Sequence, residues 1–393
     1  MKILLLLPFF ILAIYLVVSG VYQLILAIAG RFYQIPALTK QKSISKLLVL
    51  VPAYSEDAVI LNSTRKNLDL IQTSGAVLSD YLVIADKLKQ ETIHSLREMG
   101  AKVLEVSFPK STKVKALQAA LAHLGENAFE AVILLDADNV FLPEFISRTK
   151  KYLEAGYTLI QGERVAANQD SDFALLDGLS ESANTEMLCK GAHVLGFSSK
   201  LSGSAMVFSY ELFSKSIPAL KAIGGFDKEL ELYFTEAGHR IIFAPDLQVS
   251  DEKVNSGEAF AKQRGRWLQS QYAFLIKSWN PALLALFKGN TDFFHKTLQL
   301  ALPPRVLAPF ALFALIFLGL WVGSQSLFFL STIGEVALLG SYFLLLSARL
   351  NPRRILRIAV AMPALLGSAV MALGWMKRAK TEFIHTKHTA IQP

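Results

Sequence analysis

The sequence predicts an α/β protein with a Rossmann-like, mostly parallel sheet and flanking helices, joined to transmembrane α-helices. Between residues 45 and 280, short apolar runs of strand length alternate with helical patterns. Most of these apolar runs end in a carboxylate side chain. On both sides of this region, nearly uncharged segments reach the ~20 residues that a helix needs to cross a bilayer.

The N-terminal segment, residues 1–30, is predicted to be a transmembrane helix. Its core, residues 3–29, contains no charged side chain. A cleaved signal peptide is the alternative, because Lys2 precedes the run and residues 27–30 resemble a cleavage site. The apolar part of a signal peptide is only about 7 to 15 residues long, so the sequence favours an uncleaved helix.

The C-terminal part, residues 300–380, is predicted to hold about three further transmembrane helices in apolar runs at 306–324, 327–347 and 358–376. Basic residues follow the first span and precede the second, which predicts a cytoplasmic central domain on a bacterial-type inner (plasma) membrane. Four spans would place the basic tail outside. One late run is therefore expected to be re-entrant or interfacial, and the side of the tail stays open.

The charge balance bears on possible partners. The 393-residue chain has a net charge of +8, which is compatible with nucleic acid binding. Most of the basic excess borders the apolar segments, however, where anionic lipid headgroups account for it. We therefore expect membrane lipids and no nucleic acid as partners. The single cysteine, Cys189, excludes an internal disulfide and a cysteine-cluster metal site.

One soluble domain, residues 45–280, lies between the membrane segments. Its predicted elements are, in order, a strand in 46–57, a helix in 57–72, a strand in 80–87, a helix in 89–100, a strand in 101–108, a helix in 115–124 and a strand in 131–138. This alternation predicts a helix-covered parallel sheet whose ligands bind beyond the carboxyl ends of the strands. Acids stand at three of those ends: Glu56 or Asp57, Asp86, and Asp136 with Asp138.

The stretch AVILLDADNV, residues 131–140, delivers two carboxylates, Asp136 and Asp138, to one place. Neighbouring carboxylates repel each other unless a cation lies between them. Mg²⁺ and Mn²⁺ take one or two carboxylates plus phosphate oxygens, so the pair predicts a metal site for a phosphate-bearing ligand. A solvated turn is the alternative. Glycine-rich phosphate-binding sequences are missing, so Lys113 and Lys115 are the predicted diphosphate partners.

Two later stretches add groups suited to a sugar. Asp227 follows a glycine pair in GGFDKELEL. Gln263, Arg266 and Trp267 lie at i, i+3 and i+4, hence on one helical face. The amide suits sugar hydroxyls, the indole suits the C–H face of a sugar ring, and the guanidinium suits a phosphate charge. A membrane-interface anchor is the alternative for Trp267.

These motifs resemble family 2 glycosyltransferases, and within them the membrane-bound branch of cellulose, hyaluronan and poly-N-acetylglucosamine synthases. The most specific element is QRGRW at 263–267, which is similar to the Q-x-x-R-W signature. The resemblance implies a general base, Asp227, and metal ligands, Asp138 with Asp136. It also implies donor contacts from Ala53, Tyr54, Glu56, Asp86, Lys113 and Asp136, and acceptor or diphosphate contacts from Gly203, Gln263, Arg266 and Trp267.

The family resemblance further implies a GT-A fold, a nucleotide-diphosphate sugar donor such as a UDP-sugar, Mg²⁺ or Mn²⁺, and inversion at the anomeric carbon. One motif departs from the family pattern: Phe226 stands where a glutamate is expected before Asp227. A like charge is thereby replaced by an aromatic ring, which bears on the identity of the acceptor and on the pKa of the base.

Three functional alternatives follow. The favoured function is transfer to a polysaccharide or membrane-linked glycan acceptor, with polysaccharide synthesis preferred, and the alternative within this class is non-processive transfer of one sugar to a lipid-linked acceptor. A non-catalytic subunit of a polysaccharide synthase complex is a different class, in which Phe226 would mark decay of the site. A transporter is disfavoured, because Glu335 stands alone as an acid in the late apolar runs. The sugar, the linkage, the processivity and the oligomeric state are not determined by these motifs.

Overall fold

The computed structural model describes residues 2–73, 80–125, 128–347, 349 and 351–379. The strands are β1 (Leu47–Tyr54), β2 (Asp80–Asp86), β3 (Lys102–Val106), β4 (Ala131–Leu134), β5 (Val140–Phe141), β6 (Leu159–Ala166), β7 (Met206–Ser209) and β8 (Ile242–Asp251). The helices are α1 (Lys2–Gly30), α2 (Ile60–Thr73), α3 (Gln90–Glu98), α4 (Lys113–Leu124), α5 (Phe145–Glu154), α6 (Asp172–Asn184), α7 (Ala192–Val194), α8 (Tyr210–Ser216), α9 (Phe226–Glu236), α10 (Gly257–Phe287), α11 (Thr291–Gln299), α12 (Leu307–Trp321), α13 (Gln325–Leu346) and α14 (Pro352–Ala379).

These strands form one mixed sheet in the order β3-β2-β1-β4-β7-β6-β8-β5. The four strands predicted from the sequence, β1 to β4, pair in parallel, which confirms the expected α/β architecture. The later half departs from it, because β7 enters antiparallel to both β4 and β6. This insertion was not predicted, since a four-residue strand carries little periodicity of its own.

Helices cover both faces of the sheet. One apolar cluster packs α2, α3 and α5 on one face, and a second packs α4, α8 and α9 on the other. Strand β1 is apolar on both faces for this reason, and residues 47–51 are all buried. Tyr54 is aligned with Asp86, and Leu50 with Leu134, so the carboxyl ends of β1, β2 and β4 lie at the same edge.

Three helices among the described residues are long and apolar enough to cross a membrane: Leu5–Gly30, Gln325–Leu346 and Pro352–Arg378. Helix α12 is shorter, with 15 residues. It spans about 22 Å, against ~30 Å for the hydrocarbon core of a bilayer.

Helices α1, α12 and α13 form a bundle with a close crossing. A Cβ at Gly20 would lie 3.0 Å from the Gly334 carbonyl oxygen, and Leu24 lies near Gly340. Helices α1 and α13 therefore run in the same direction, and α12 returns the chain between them. Leu16, Leu312 and Leu338 fill the space inside this bundle.

Helix α14 packs along α10 instead of joining that bundle. Near its start, Arg357 forms an ion pair with Asp172 at 2.9 Å. Near its end, a Cβ at Gly265 would lie 2.7 Å from the Ala372 carbonyl oxygen. Both parts of α14 thus contact the sheet-bearing domain or its α10 extension. The tail lysines Lys380 and Lys387, which bear on the sequence-based topology, lie outside the described residues.

Candidate active site

A cavity of about 770 Å³ opens at the carboxyl edge of β1, β2 and β4 and extends past α10 to the apolar helices α12, α13 and α14. The twelve residues that the family resemblance assigned to the site all line it: Ala53, Tyr54, Glu56, Asp86, Lys113, Asp136, Asp138, Gly203, Asp227, Gln263, Arg266 and Trp267. The parallel register of β1, β2 and β4 brings together the residues at the carboxyl ends of these strands. The later half of the chain supplies Gly203, Asp227 and the three residues of α10.

One end of the cavity carries an aromatic ring and a buried acid. Tyr54 and Asp86 face each other across the β1–β2 pair. The ammonium of Lys87 lies 5.2 Å from the centre of the Tyr54 ring. Asp86 is 3% exposed, burial raises its pKa, and its Oδ1 has no hydrogen-bond partner in the described part of the chain. An aromatic plane beside a hydrogen-bond acceptor suits a nucleobase.

The turn after β4 presents the two predicted metal ligands. The Asp136 amide donates to Ser204 Oγ at 3.0 Å, and the Asn139 side chain donates to Asp251 Oδ1 at 2.9 Å, which holds the turn against β7 and β8. Asp138 Oδ2 accepts from the Glu252 amide at 3.0 Å. The turn is therefore built into the domain interior, unlike the solvated turn that the sequence left as an alternative.

The donor set fits Mg²⁺ or Mn²⁺. Within the described ranges, no group of three or more His, Cys, Asp or Glu side chains is arranged to hold a metal ion on its own. A pair of carboxylates is nevertheless what these hard cations use when substrate phosphates complete their coordination. Asp136 and Asp138 would supply the protein oxygens.

Lys113 begins α4 and connects several parts of the site. Its ammonium forms an ion pair with Asp136, donates to the Gly203 carbonyl at 2.8 Å, and lies 4.7 Å from the centre of the Phe226 ring. Lys115, the second predicted diphosphate partner, does not line the cavity. Thr112 caps α4 by accepting from the backbone amide of Lys115, so the helix begins at Lys113. The ammonium of Lys115 donates to the Lys110 carbonyl at 2.8 Å.

Asp227 lies in the first turn of α9 and stays charged. Burial by itself would raise its pKa, but Lys228 at 3.8 Å, Lys200, and backbone amides at the helix start outweigh burial and lower the pKa. The carboxylate can therefore accept a proton while lining the cavity. Neither lysine was singled out from the sequence. Lys200 comes from a loop far from Asp227 along the chain, so only the fold brings its charge close to that carboxylate.

The predicted face of α10 also points into the cavity. Burial lowers the pKa of Arg266, while the charges of Asp136 and Asp227 raise it, so this guanidinium lies near both the metal ligand and the predicted base. Trp267 is stacked by Arg264, whose guanidinium carbon lies 4.5 Å from the ring centre. Trp267 thus forms part of the cavity wall, which disfavours its alternative role as a membrane anchor.

Sequence reasoning missed a buried ionic network behind the metal motif. Arg164 lies 3.9 Å from Asp136 and 3.6 Å from Asp251, and its Nε donates to Glu181 at 2.7 Å. Lys253 pairs with both Asp251 and Glu181. The available signal was the charged end of each apolar strand run, in LIQGERVA and in VSDEK. Arg164 and Lys253 thus compensate the buried negative charge of the carboxylates that hold the turn.

Comparisons with known proteins agree with this architecture. Residues 45–270 match the family model described as glycosyltransferase like family 2. A mannosyltransferase from Pyrobaculum calidifontis, solved with GDP-mannose and Mn²⁺, is similar over 94% of this chain and 96% of its own, with 16% sequence identity and a TM-score of 0.53. At that identity the likeness shows the fold alone.

A weaker likeness is to glucosyl-3-phosphoglycerate synthase from Mycobacterium tuberculosis, solved with Mg²⁺ and UDP. It covers 59% of this chain and 75% of the synthase, with 17% identity and a TM-score of 0.38. No curated protein sequence matches the chain. The family match spans more than half of the chain, over the domain that carries every predicted site residue. The chain therefore belongs to the glycosyltransferase-like family 2 and has a GT-A-type fold.

Proposed function

We propose that this protein is an inverting, metal-dependent glycosyltransferase that moves a sugar from a nucleotide-diphosphate sugar to a membrane-associated acceptor. The observation that carries the proposal is the shared cavity: the Asp136–Asp138 pair, Asp227 and the polar face of α10 all line it. A transferase of this kind needs a leaving-group site, a base and a sugar-binding surface within one ligand's length.

Asp227 acts as the general base. It takes the proton of the acceptor hydroxyl while that oxygen forms a bond to C1 of the donor sugar. The bond between C1 and the diphosphate oxygen breaks, and the nucleoside diphosphate leaves with the electron pair. Direct attack from the opposite side inverts C1. Lys228 and Lys200 oppose the effect of burial on the pKa of Asp227 and so keep the carboxylate deprotonated near neutral pH.

Cations stabilise the departing diphosphate. Lys113 and Arg266 line the cavity beside Asp136 and are the side chains proposed to contact the phosphates. When bound by Asp136 and Asp138, Mg²⁺ or Mn²⁺ supplies Lewis-acid neutralisation of the leaving group. The similar mannosyltransferase contains Mn²⁺, which agrees with the metal expected here.

The donor is proposed to be a UDP-sugar, bound with its base between Tyr54 and Asp86 and flanked by Ala53 and Glu56. The similar mannosyltransferase was solved with GDP-mannose, so the base is a matter for measurement. A panel of UDP-, GDP- and other nucleotide sugars, each tested with and without Mn²⁺ for thermal stabilisation of the purified protein, identifies the donor. Stabilisation by no nucleotide sugar at any metal concentration would contradict the proposal.

We further propose an integral membrane protein of the inner (plasma) membrane, resembling the polysaccharide synthase branch, with the 45–280 domain in the cytoplasm. Helices α1 and α13 cross the bilayer in the same direction, so α12, although shorter than the hydrocarbon core, must return the chain across it. Helix α14, although long enough to span, lies in the interface. Contact of both parts of α14 with the domain or α10 supports the interfacial position. This arrangement keeps the basic tail on the cytoplasmic side, in agreement with the charge rule.

The cavity is compatible with either a growing polysaccharide or a membrane-linked glycan as acceptor. The proposed activity is also compatible with assembly into a synthase complex. The non-catalytic alternative predicts neither transfer nor donor hydrolysis. Asp227→Asn distinguishes a catalytic from a non-catalytic protein. It should leave metal-dependent donor binding within about twofold of the parent and lower the rate of sugar transfer by the 10²- to 10⁴-fold typical of a general base. A parent protein that binds the donor but never breaks the sugar–phosphate bond would favour the non-catalytic role.

A further inference from the structure

The cavity continues beyond the groups that the proposed chemistry needs. Past Trp267 its walls are Pro309 and Phe310 of α12, Leu339 of α13, and Met362 and Leu365 of α14. These side chains are apolar, whereas the donor end is lined by acids, lysines and a tyrosine. We call this part of the cavity, defined by the five residues just named, the apolar arm.

The apolar arm reaches the outer surface of the membrane helices. Phe310 is 42% exposed and Leu339 is 48% exposed, although both line the cavity. Their neighbours on the outer surface are apolar as well, including Phe313, Phe317, Val336 and Phe343. The outer surface of α12 and α13 and the arm therefore share one apolar lining, which suits a hydrocarbon chain.

A partly buried cation, Arg305, lines the cavity just before the α12 residues of the arm along the chain. Arg305 donates to the Ser180 carbonyl at 3.0 Å and to Asn184 Oδ1 at 2.8 Å. Both acceptors are neutral, and no carboxylate of the described residues lies within ion-pair distance of this guanidinium. Burial and the nearby charge of Arg264 lower the pKa of Arg305 to about 10. A partly buried cation without an ion-pair partner among the described residues favours an anionic ligand.

Arg264 adds a second positive charge at the same place. It pairs with Asp177 at 2.5 Å, but its Nε has no hydrogen-bond partner in the described part of the chain. Both arginines line the cavity. Asp177 pairs with Arg264 and not with Arg305, so one of the two guanidiniums keeps its charge without an ion pair, and guanidinium groups match the oxygens of a phosphate well.

The transmembrane bundle argues against a polymer passing through it. Gly20 and Gly334 are in backbone contact, and Leu312 and Leu338 close the interior. A growing polysaccharide needs a polar passage lined by groups that can bond to its hydroxyls. The apolar arm, in contrast, is a part of the catalytic cavity whose residues Phe310 and Leu339 reach the exposed surface of α12 and α13.

We propose that the acceptor is a sugar carried on a lipid phosphate or diphosphate. Its anionic group contacts Arg305 and Arg264, its hydrocarbon chain lies in the apolar arm, and its sugar hydroxyl faces Asp227. This inference rests on the proposed glycosyl transfer, and it selects the lipid-linked acceptor over a polysaccharide extruded through the bundle. The acceptor enters from the membrane, and the donor enters from the opposite, polar end of the cavity.

The test uses the full-length protein in nanodiscs of phosphatidylcholine, with farnesyl phosphate as the probe and farnesol and inorganic phosphate as its two halves. We expect farnesyl phosphate to bind at least tenfold more tightly than either half. Equal binding of farnesol would overturn the role of the arginines, and equal binding of phosphate would overturn the role of the arm. Full displacement by phosphatidylglycerol would assign the site to membrane headgroups instead.

Variants separate the two contacts. Arg305→Gln should weaken farnesyl phosphate binding about tenfold or more, while Arg305→Lys, which keeps the charge, should retain most of it. Met362→Trp fills the arm and should weaken farnesyl phosphate without changing the affinity for inorganic phosphate. Arg353→Gln, an exposed arginine on α14, is the matched control and should bind as the parent does. If Arg305→Gln fails to fold, the Lys and Trp variants still decide.

Mn²⁺-dependent donor binding is measured on the same preparations. Donor binding without a preference for farnesyl phosphate contradicts only the lipid-linked acceptor. A parent protein that binds farnesyl phosphate but no nucleotide sugar contradicts the proposed transfer while leaving the lipid site intact. The two failures are thereby distinguishable.

Discussion

The ammonium group of Lys113 lies 4.7 Å from the centre of the Phe226 ring. Phe226 occupies the position at which the family resemblance places a glutamate. A glutamate there would compete with Asp136 for the lysine, whereas an aromatic face attracts the ammonium and leaves its charge available. The departure from the family motif is thus compatible with a working diphosphate site, and it weakens the case for decay of the site.

Restoring the family glutamate should impair the enzyme in a defined way. In Phe226→Glu the new carboxylate would pair with Lys113 and repel Asp227, so we expect weaker donor binding and a higher pKa of Asp227. The acid limb of the pH–rate profile should then move to higher pH. Phe226→Leu, which removes the cation–π contact of about 0.5–2 kcal/mol and some core packing but adds no charge, should leave the limb in place. An unshifted limb in the glutamate variant would refute this account.

Lys228 should set the acid limit of activity. Asp227 is active when deprotonated, and its pKa is lowered by Lys228 and Lys200 against the opposing effect of burial. Removing one of these charges in Lys228→Met should raise the pKa of Asp227, so activity should be lost at a higher pH than in the parent. Lys221→Met, an exposed lysine just before α9, is the control. Overlapping profiles of kcat against pH for the parent and Lys228→Met would argue against Asp227 as the base.

Asp138 should carry the metal dependence of donor binding. In Asp138→Ala we expect the stabilisation by nucleotide sugar to become independent of Mn²⁺ and to fall to the level that the parent shows with EDTA. Titrating the nucleotide sugar calorimetrically with and without Mn²⁺ measures this. Asp69→Ala, at an exposed site on α2, should keep the full metal effect. A variant that retains Mn²⁺-dependent binding would remove Asp138 from the metal site.

Arg164 should be needed for stability as well as for the site. Its removal in Arg164→Met leaves Asp251 and Glu181 buried with less compensation, which typically costs about 3–5 kcal/mol in the free energy of unfolding. Arg97→Met, which breaks the exposed pair with Glu105, should cost less than about 1 kcal/mol. Denaturant unfolding compares the two, and similar small losses would contradict the compensating role of the network.

The same network gives the sign of a pH effect. Arg164 and Lys253 lower the pKa of Asp251 and of Glu181 in the folded protein. Their stabilising contribution is therefore present above the unfolded-state pKa values, about 4, and is lost as the pH falls toward the folded-state values. The parent should lose more stability on acidification than Arg164→Met does.

Sequence patterns predicted a large part of the fold and the composition of the site. Strands β1 to β4 are local apolar runs, and the acids that follow them are local too, so Asp86, Asp136 and Asp138 could be located without coordinates. The face of α10 follows from helical spacing alone. The antiparallel entry of β7 and the length of α12 did not follow, because short strands and apolar runs leave direction and helix limits undetermined.

The sequence by itself determined which functional groups are available: carboxylates at strand ends, a Gln-Arg-Trp face, and apolar segments around a globular domain. Only the tertiary structure decided which charges meet. Lys200 acts on Asp227, and Arg305 reaches Ser180 across 125 positions of the chain. Such contacts depend on how the sheet and helices pack, since burial and distance, which set the pKa of a group and the cost of its charge, are properties of the folded chain.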